Sequence, residues 1–246
     1  MFKNFSFIFL VVFIFIKSTN AQEQRCFVKN LNLNSKYQDF DLVKYSDSIV
    51  IFSSTRRQKS IKQPKWSGNN QPYLELYSAK LNKDGSFTSI EKFSKTINTK
   101  FHDADIAFSK DLKTIYFSRS NYFNKKYVKD TLGRNLIQLY KARKGDNGEW
   151  FEKEISFNSK DYQTGHPTLN EDETKLYFIS DMPGGYGGTD IYVVDVYLDG
   201  TYSTPKNLGP KINTKGREMF PVILKNDDLY FSSDGYIDGQ GGLDIF

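Results

Sequence analysis

Cysteine and histidine are almost absent from this chain. Its 246 residues include one cysteine, Cys26, and two histidines, His102 and His166. A single cysteine forms no internal disulfide, so the fold is not a disulfide-stapled scaffold. The same scarcity argues against a zinc site, which normally takes four cysteine or histidine ligands. We therefore predict no metal and no other cofactor.

The chain also lacks a strong charge of one sign. It carries 34 basic and 29 acidic residues, which leaves a net charge of +5. Two of the basic residues, Lys3 and Lys17, lie in the N-terminal segment discussed next. This balance is too weak to indicate a nucleic-acid partner.

Long apolar runs are missing except at the N-terminus. There, Lys3 precedes an apolar run over residues 5–16, and a small-x-small site ends at Ala21. This pattern is typical of a cleaved secretory signal. The run is shorter than the roughly 20 residues of a membrane-spanning helix. We predict a signal peptide over 1–21 and export of residues 22–246 to the periplasm, with an uncleaved anchor as the alternative.

Aromatic residues, by contrast, are abundant. They make up 16% of the chain and lie in short apolar segments, which favours strands over helices. Four segments share one order of elements: an Asn-Ser/Thr-Lys motif, a short strand, a polar turn and a second strand with a phenylalanine. These phenylalanines are Phe52, Phe117, Phe178 and Phe231, at spacings of 65, 61 and 53 residues.

Each segment continues with a third strand after a loop of variable length. In this strand a polar residue is followed two positions later by an aromatic one. The polar residues are Glu75, Gln138, Asp190 and Asp244, and the aromatic ones are Tyr77, Tyr140, Tyr192 and Phe246. An Asp-Gly or Asn-Gly pair then follows in three segments and predicts a hairpin into a fourth strand.

Four short antiparallel strands per repeat are the plan of a β-propeller blade. We predict an all-β propeller, whereas a β-sandwich would not repeat the same four-part order. The predicted blades cover about 37–97, 101–157, 162–212 and 217–246. The last blade stops within its third strand, which predicts three complete blades and a partial fourth in an open arc, from a truncated product or fragment. Alternatively, residues 27–33 supply the missing strand and close a four-bladed ring.

A glycine-rich segment at 181–192, "DMPGGYGGTDIY", has the composition of a phosphate loop. A phosphate loop needs a helix N-terminus behind it, and no helical periodicity follows here. We predict a structural turn in which Asp190 bonds backbone groups, repeated at 234–246 around Asp244. A calcium site at Asp181 and Asp190 is the alternative.

Three segments carry a family resemblance: "HPTLNEDETKLYFISD", "GGTDIYVVDV" and "LYFSSDGYIDGQGGLDIF". They resemble TolB-like, WD-type propellers of bacterial envelope proteins. The resemblance covers nearly all of residues 22–246 and is strongest to the propeller region of OmpA-family proteins with PorE-like architecture. It implies a non-enzymatic interaction or scaffold propeller, associated with the outer membrane and with type IX secretion. The peptidoglycan-binding domain of that family has no counterpart in this sequence, so peptidoglycan anchoring carries over to no residue.

Two loops between second and third strands, 56–72 and 119–135, are rich in basic and aromatic residues. We interpret them as a docking rim for an envelope protein or an anionic envelope polymer, with solvated inserts as the alternative. The predicted partner-binding residues are Arg56, Arg57, Lys59, Lys62, Lys65, Trp66, Lys125, Lys126 and Lys129.

The rival hypothesis is a propeller glycan hydrolase, which needs two carboxylates on either side of one pocket. Asp39, Asp103 and Glu218 begin the first strands of three repeats, where the remaining repeat has Thr164. If these carboxylates point into separate turns, this hypothesis loses the residues that support it. We predict no catalytic residue.

Overall fold

The structure, a computed structural model, describes residues 29–56 and 64–246. The predicted signal peptide, Cys26 and three predicted partner-binding residues (Arg57, Lys59 and Lys62) lie outside these ranges. The described residues form strands and turns without a helix. Accordingly, this part of the chain has no helix that could cross a membrane.

The strands form four antiparallel blade sheets, one for each repeat, and one separate two-stranded sheet. The first holds β1 Asp39–Ser46, β2 Ile49–Ser54, β3 Glu75–Leu81 and β4 Phe87–Lys92. The second holds β5 Asp103–Phe108, β6 Thr114–Ser120, β9 Ile137–Lys144 and β10 Trp150–Glu154. A separate hairpin of β7 Tyr122–Phe123 and β8 Lys126–Tyr127 lies in the loop between β6 and β9. The third holds β11 Thr164–Leu169, β12 Lys175–Ser180, β13 Asp190–Asp195 and β14 Lys206–Asn207. The fourth holds β15 Glu218–Ile223, β16 Leu229–Ser233 and β17 Asp244–Ile245. These sheets are the four blades of a β-propeller, which confirms the predicted fold class.

The repeated aromatic residues form cross-strand pairs at the centre of each blade. Phe117 on β6 lies directly opposite Tyr140 on β9, and their ring centroids are 5.9 Å apart. The same pairing recurs for Phe52 with Tyr77 and for Phe178 with Tyr192. All six side chains are buried. Because aromatic cross-strand pairs stabilise sheets and fill the space between them, these positions anchor every blade.

The asparagine of the Asn-Ser/Thr-Lys motif ties each blade's end to its own third strand. The side-chain amide of Asn98 accepts the N–H of Leu76 at 2.8 Å and donates to its carbonyl at 2.9 Å. Asn213 makes the same pair of bonds with Ile191. An amide side chain thus continues the hydrogen-bonding pattern of the sheet where the fourth strand ends.

Leu33 precedes the first Asn-Ser/Thr-Lys motif, just as Ile97 precedes the second. Ile97 is buried between the first two blades. Ile97 packs in the cluster of Phe117, whereas Leu33 packs in the cluster of Phe52. Each backbone carbonyl also accepts a bond from an arginine, Arg119 for Ile97 and Arg56 for Leu33. Residues 29–33 form no strand, and no described residue adds a fourth strand to β15, β16 and β17.

Candidate functional site

The three carboxylates at the blade entrances each close a turn of their own blade. Asp103 Oδ2 accepts the backbone N–H of Thr99 at 2.6 Å and its hydroxyl at 2.8 Å. Asp39 is bonded in the same way by Ser35, and Glu218 by Thr214. Since these carboxylates point into separate turns, they do not form the paired site that a glycan hydrolase needs.

An arginine takes the second oxygen of two of these carboxylates. Arg119 donates to Asp103, and Arg56 Nη2 donates to Asp39 Oδ1 at 2.7 Å. Burial raises the pKa of Asp103 to about 6, although Arg119 favours its charged form. The Arg56 guanidinium also lies 4.6 Å from the ring centre of Phe52. Arg56, a predicted partner-binding residue, is therefore engaged within the first blade through Asp39, the Leu33 carbonyl and the Phe52 ring.

A second column of residues, two positions further along each first strand, was missed by the sequence analysis. Its members have φ angles of 54°, 49°, 50° and 51°, and each lies at a register shift in its blade. They are Asp41, Asp105, His166 and Phe220, and we call them the axial column. Because a positive φ is costly for non-glycine residues, its recurrence at the same position in four blades shows that this backbone conformation is a regular part of the blade structure.

The axial column joins each blade to the next. The N–H of Ile106 donates to Asp41 Oδ2 at 2.6 Å, and that of Phe220 donates to His166 Nδ1 at 3.1 Å. His166 Nε2 lies 3.4 Å from Asp105 Oδ2. The Phe220 ring stacks on His166 at 4.1 Å and meets Phe40 of the first blade edge-on at 6.4 Å. These contacts run through all four blades and return to the first.

The electrostatics of the axial column are unusual. Asp105 is buried, and its Oδ1 has no hydrogen-bond partner among the described residues. Burial raises the pKa of Asp105 to about 7, and burial together with the nearby Asp105 charge raises that of Asp41 to about 7. Burial lowers the pKa of His166 to about 3, so its ring is neutral. Because Nδ1 accepts a bond, the ring proton lies on Nε2 and faces Asp105.

A continuous strip of aromatic rings connects the loops of the first two blades. We define the aromatic strip as Trp66, Tyr73, Phe101, His102, Tyr122 and Tyr127. Neighbouring ring centroids are 4.4–5.7 Å apart, for example 5.1 Å between Trp66 and His102. Trp66 and Tyr127 at its two ends are 41% and 42% exposed. The strip thus presents aromatic surface to solvent across a blade boundary.

Lysines border this strip. Lys100 Nζ lies 5.4 Å from the ring centre of Phe101. Lys125, Lys126 and Lys129 are exposed on or beside the hairpin of β7 and β8. Within the described part of the chain, none of these four lysines forms an ion pair.

The other charged residues that the structure describes in the two loops are already engaged. Asp130, the acidic residue of the 119–135 loop, is paired with Arg134 at 2.8 Å. Lys65 Nζ donates to Asn70 Oδ1 at 3.1 Å. Among the described residues around the strip, the uncompensated positive charge therefore lies with Lys100, Lys125, Lys126 and Lys129.

The glycine-rich segment folds around its own aspartate. Asp190 accepts the N–H groups of Tyr186 and Gly187 at 2.5 and 3.1 Å. A Cβ on Gly185 would lie 2.5 Å from Asp190 Oδ2, which explains why glycine occupies that position. Asp244 accepts backbone N–H groups from Gln240 and Gly241 in the fourth blade. Among the described residues, no group of three or more acidic, histidine or cysteine side chains is placed to hold a metal ion.

Comparison with known proteins finds likeness at the level of structure only. No family model and no curated protein matches the sequence. TolB from Acinetobacter baumannii is 15% identical with a TM-score of 0.42, over 80% of this chain and 40% of TolB. An α-L-arabinofuranosidase from Lactobacillus brevis is 12% identical with a TM-score of 0.47, over 81% of this chain and 66% of the enzyme. A Mycobacterium tuberculosis puromycin-hydrolyzing peptidase is 14% identical with a TM-score of 0.46, over 85% of this chain and 28% of the peptidase. At these values the likenesses assign no activity, and the propeller fold rests on the sheets described above.

Proposed function

We propose that this chain is a non-enzymatic binding propeller of the bacterial cell envelope that docks an anionic partner on the aromatic strip and its lysines. One observation carries the proposal: the strip is continuous across two blades and is bordered by lysines without ion pairs. Exposed aromatic residues are favoured at binding surfaces, because one rigid side chain contributes a large contact area. Uncompensated positive charge attracts an anionic partner and speeds its association.

The partner we favour is an anionic envelope polymer. The exposed rings at the two ends of the aromatic strip and the lysines beside them suit a chain of ring-shaped units that carries negative charge. An acidic envelope protein is the other class of partner that the experiment below distinguishes. Association with the outer membrane and a role in secretion follow only from the resemblance to OmpA-family propellers and from the predicted signal over 1–21.

Replacing Lys125, Lys126 and Lys129 together by alanine is expected to weaken binding about tenfold at low salt. Exposed charges contribute about 0.2–1 kcal/mol each, and 1.4 kcal/mol is a tenfold change. The salt dependence should flatten, because fewer charges remain to be screened. Binding to the polysaccharide and protein fractions of an envelope extract is measured separately by biolayer interferometry.

The matched control replaces Lys211 and Lys225, which are exposed lysines elsewhere in the chain. It should bind like the wild type, and the stability of both variants should change by no more than about 0.5 kcal/mol. Trp66→Ala should weaken binding without changing its salt dependence. Equal binding of all variants at low salt would contradict the proposed surface, and binding to the protein fraction alone would reassign the partner.

A second candidate function, glycan hydrolysis, is favoured by the axial column rather than by the entrance carboxylates. Asp41 and Asp105 are neighbouring carboxyl groups with raised pKa values, as a general acid requires. If the chain is such an enzyme, Asp105→Asn should abolish release of reducing sugars from envelope polysaccharides, whereas Asp146→Asn, at an exposed carboxylate, should leave it unchanged. A wild-type chain that binds polysaccharide without cleaving it would exclude this candidate.

A further inference from the structure

A cleft of about 550 Å³ lies between the second and third blades. The second blade contributes Tyr116, Lys141, Arg143 and Lys153, and the third contributes Leu198 and Tyr202 to its lining. Lys141 and Arg143 lie toward the end of β9 that is far from the 119–135 loop, and Lys153 lies opposite Lys141 on β10, so the cleft is separate from the proposed docking surface. Its volume is within the range of small-molecule sites, roughly 300–1,000 Å³.

Three basic side chains at neighbouring positions of β9 and β10 line this cleft. Lys141 on β9 lies directly opposite Lys153 on β10, and Arg143 projects on the same side of β9 two residues later. Like charges directly opposite each other in a sheet are destabilising. In the described structure none of the three forms an ion pair. The three basic side chains therefore form a repulsive arrangement that, among the described residues, no ion pair relieves.

The three acidic residues of the lining, Glu154, Glu173 and Asp199, form no ion pair with this basic group. Glu173 accepts the backbone N–H of Lys110, and Asp199 accepts the backbone N–H and the hydroxyl of Thr201. Glu154 is exposed, and neither glutamate lies within ion-pair distance of Lys141, Arg143 or Lys153.

Lys141 is the centre of the arrangement. Its Nζ lies 5.5 Å from the ring centre of Tyr116 and 5.8 Å from that of Tyr202, and the two tyrosine hydroxyl oxygens are 3.4 Å apart. Burial lowers the pKa of Lys141, and the charges of Lys153 and Arg143 lower it further. The two rings supply a cation–π contact but no negative charge.

The neighbouring blade interface shows that the fold does not require this cleft. Between the first and second blades, the residue at the repeat position of Lys141 is Ser78. The hairpin aromatic there is Trp150, which is buried and packs against Phe93 at 5.9 Å and Phe108 at 6.2 Å. Aromatic side chains therefore fill this position of the repeat between the first and second blades. Between the second and third blades the corresponding position is open and lined by basic residues.

We propose that the cleft between the second and third blades binds a small organic anion. Its carboxylate or phosphate group contacts Lys141, Arg143 and Lys153, and its apolar body lies against Tyr116 and Tyr202. A bound anion removes the like-charge repulsion across β9 and β10, which is why the open, basic cleft is maintained. This site is independent of the docking surface of the aromatic strip.

The test uses phenyl phosphate as the probe, with inorganic phosphate and benzyl alcohol to separate the contributions of charge and ring. Calorimetric titration of the full chain should show one saturable site for phenyl phosphate, weaker binding of inorganic phosphate and no binding of benzyl alcohol. Lys141→Met keeps the aliphatic stem and removes the charge, and should weaken phenyl phosphate binding at least about tenfold, as expected for loss of a charge-assisted bond. Lys80→Met, at the repeat position of Arg143 in the first blade, should bind like the wild type.

Thermal unfolding without ligand gives an independent readout. Lys141→Met should unfold at a higher temperature than the wild type, because it removes a half-buried charge that nothing neutralises. A lower unfolding temperature would show that the charge is already compensated and would overturn the proposal. So would the absence of phenyl phosphate binding, or equal binding by the wild type and Lys141→Met.

Discussion

Replacing Phe178 by alanine is expected to lower the free energy of unfolding by about 3–5 kcal/mol. Phe178 is fully buried between the second and third blades. Its ring stacks on Phe157 at 4.7 Å and on Tyr192 at 5.9 Å. Both partners are held by their own strands or turns, so the space left by the ring would close only partly. Urea denaturation followed by tryptophan fluorescence measures the change.

Phe151→Ala is the matched control, because Phe151 is also a strand phenylalanine but is 60% exposed. Its replacement should change stability by no more than about 0.5–1 kcal/mol. A loss below about 1 kcal/mol for Phe178→Ala would contradict a packed core at the repeated aromatic positions.

The second large effect is expected from pH. The wild type should lose about 2–4 kcal/mol of stability relative to Asp105→Asn between pH 4 and pH 8. In the folded chain the pKa of Asp105 is raised by burial to about 7, against an ordinary value of 3.8. The folded state therefore keeps a proton that the unfolded state has released. This stabilisation is complete below pH 4 and is lost as the pH rises through 7.

Urea denaturation of both proteins at a series of pH values measures this contribution together with the change that the substitution causes in the titration of Asp41, because the other titrating groups are common to both proteins. Asp146→Asn, which removes an exposed carboxylate, should follow the wild-type profile. If Asp105→Asn has the same pH dependence as the wild type, the axial carboxyl groups do not titrate as described.

The sequence predicted the propeller because the anchors of the repeat are local and strongly patterned. Phe117 and Tyr140 recur at fixed places in each segment, and alternation within strands determines which face they occupy. The axial column was missed because its defining property is a backbone angle. Asp105 and His166 belong to different repeats and meet only when two blades pack together.

For the entrance carboxylates, the sequence did contain a signal that we did not use. A serine or threonine lies four residues before the acid in three repeats, as with Thr99 and Asp103. That spacing indicates a closed local turn rather than a shared pocket. For the two loops, the sequence showed the charge but not the contacts. The pairing of Arg56 with Asp39 and the continuous row of rings from Trp66 to Tyr127 form only when the chain folds.

The axial column also makes each junction between neighbouring blades chemically different from the others. The four blades share one plan, and duplicated units of this kind could dock in the wrong order during folding. Each junction at the axis, however, uses a different pair of groups: Asp41 with a backbone N–H, Asp105 with His166, His166 with Phe220, and Phe220 with Phe40. A blade docked in the wrong order would place a carboxyl group against a phenyl ring in place of its hydrogen-bonding partner. The order of the blades therefore depends on the five side chains at these four junctions, and a chain built from four copies of one blade would keep the core aromatic pairs but lose the differences between the junctions.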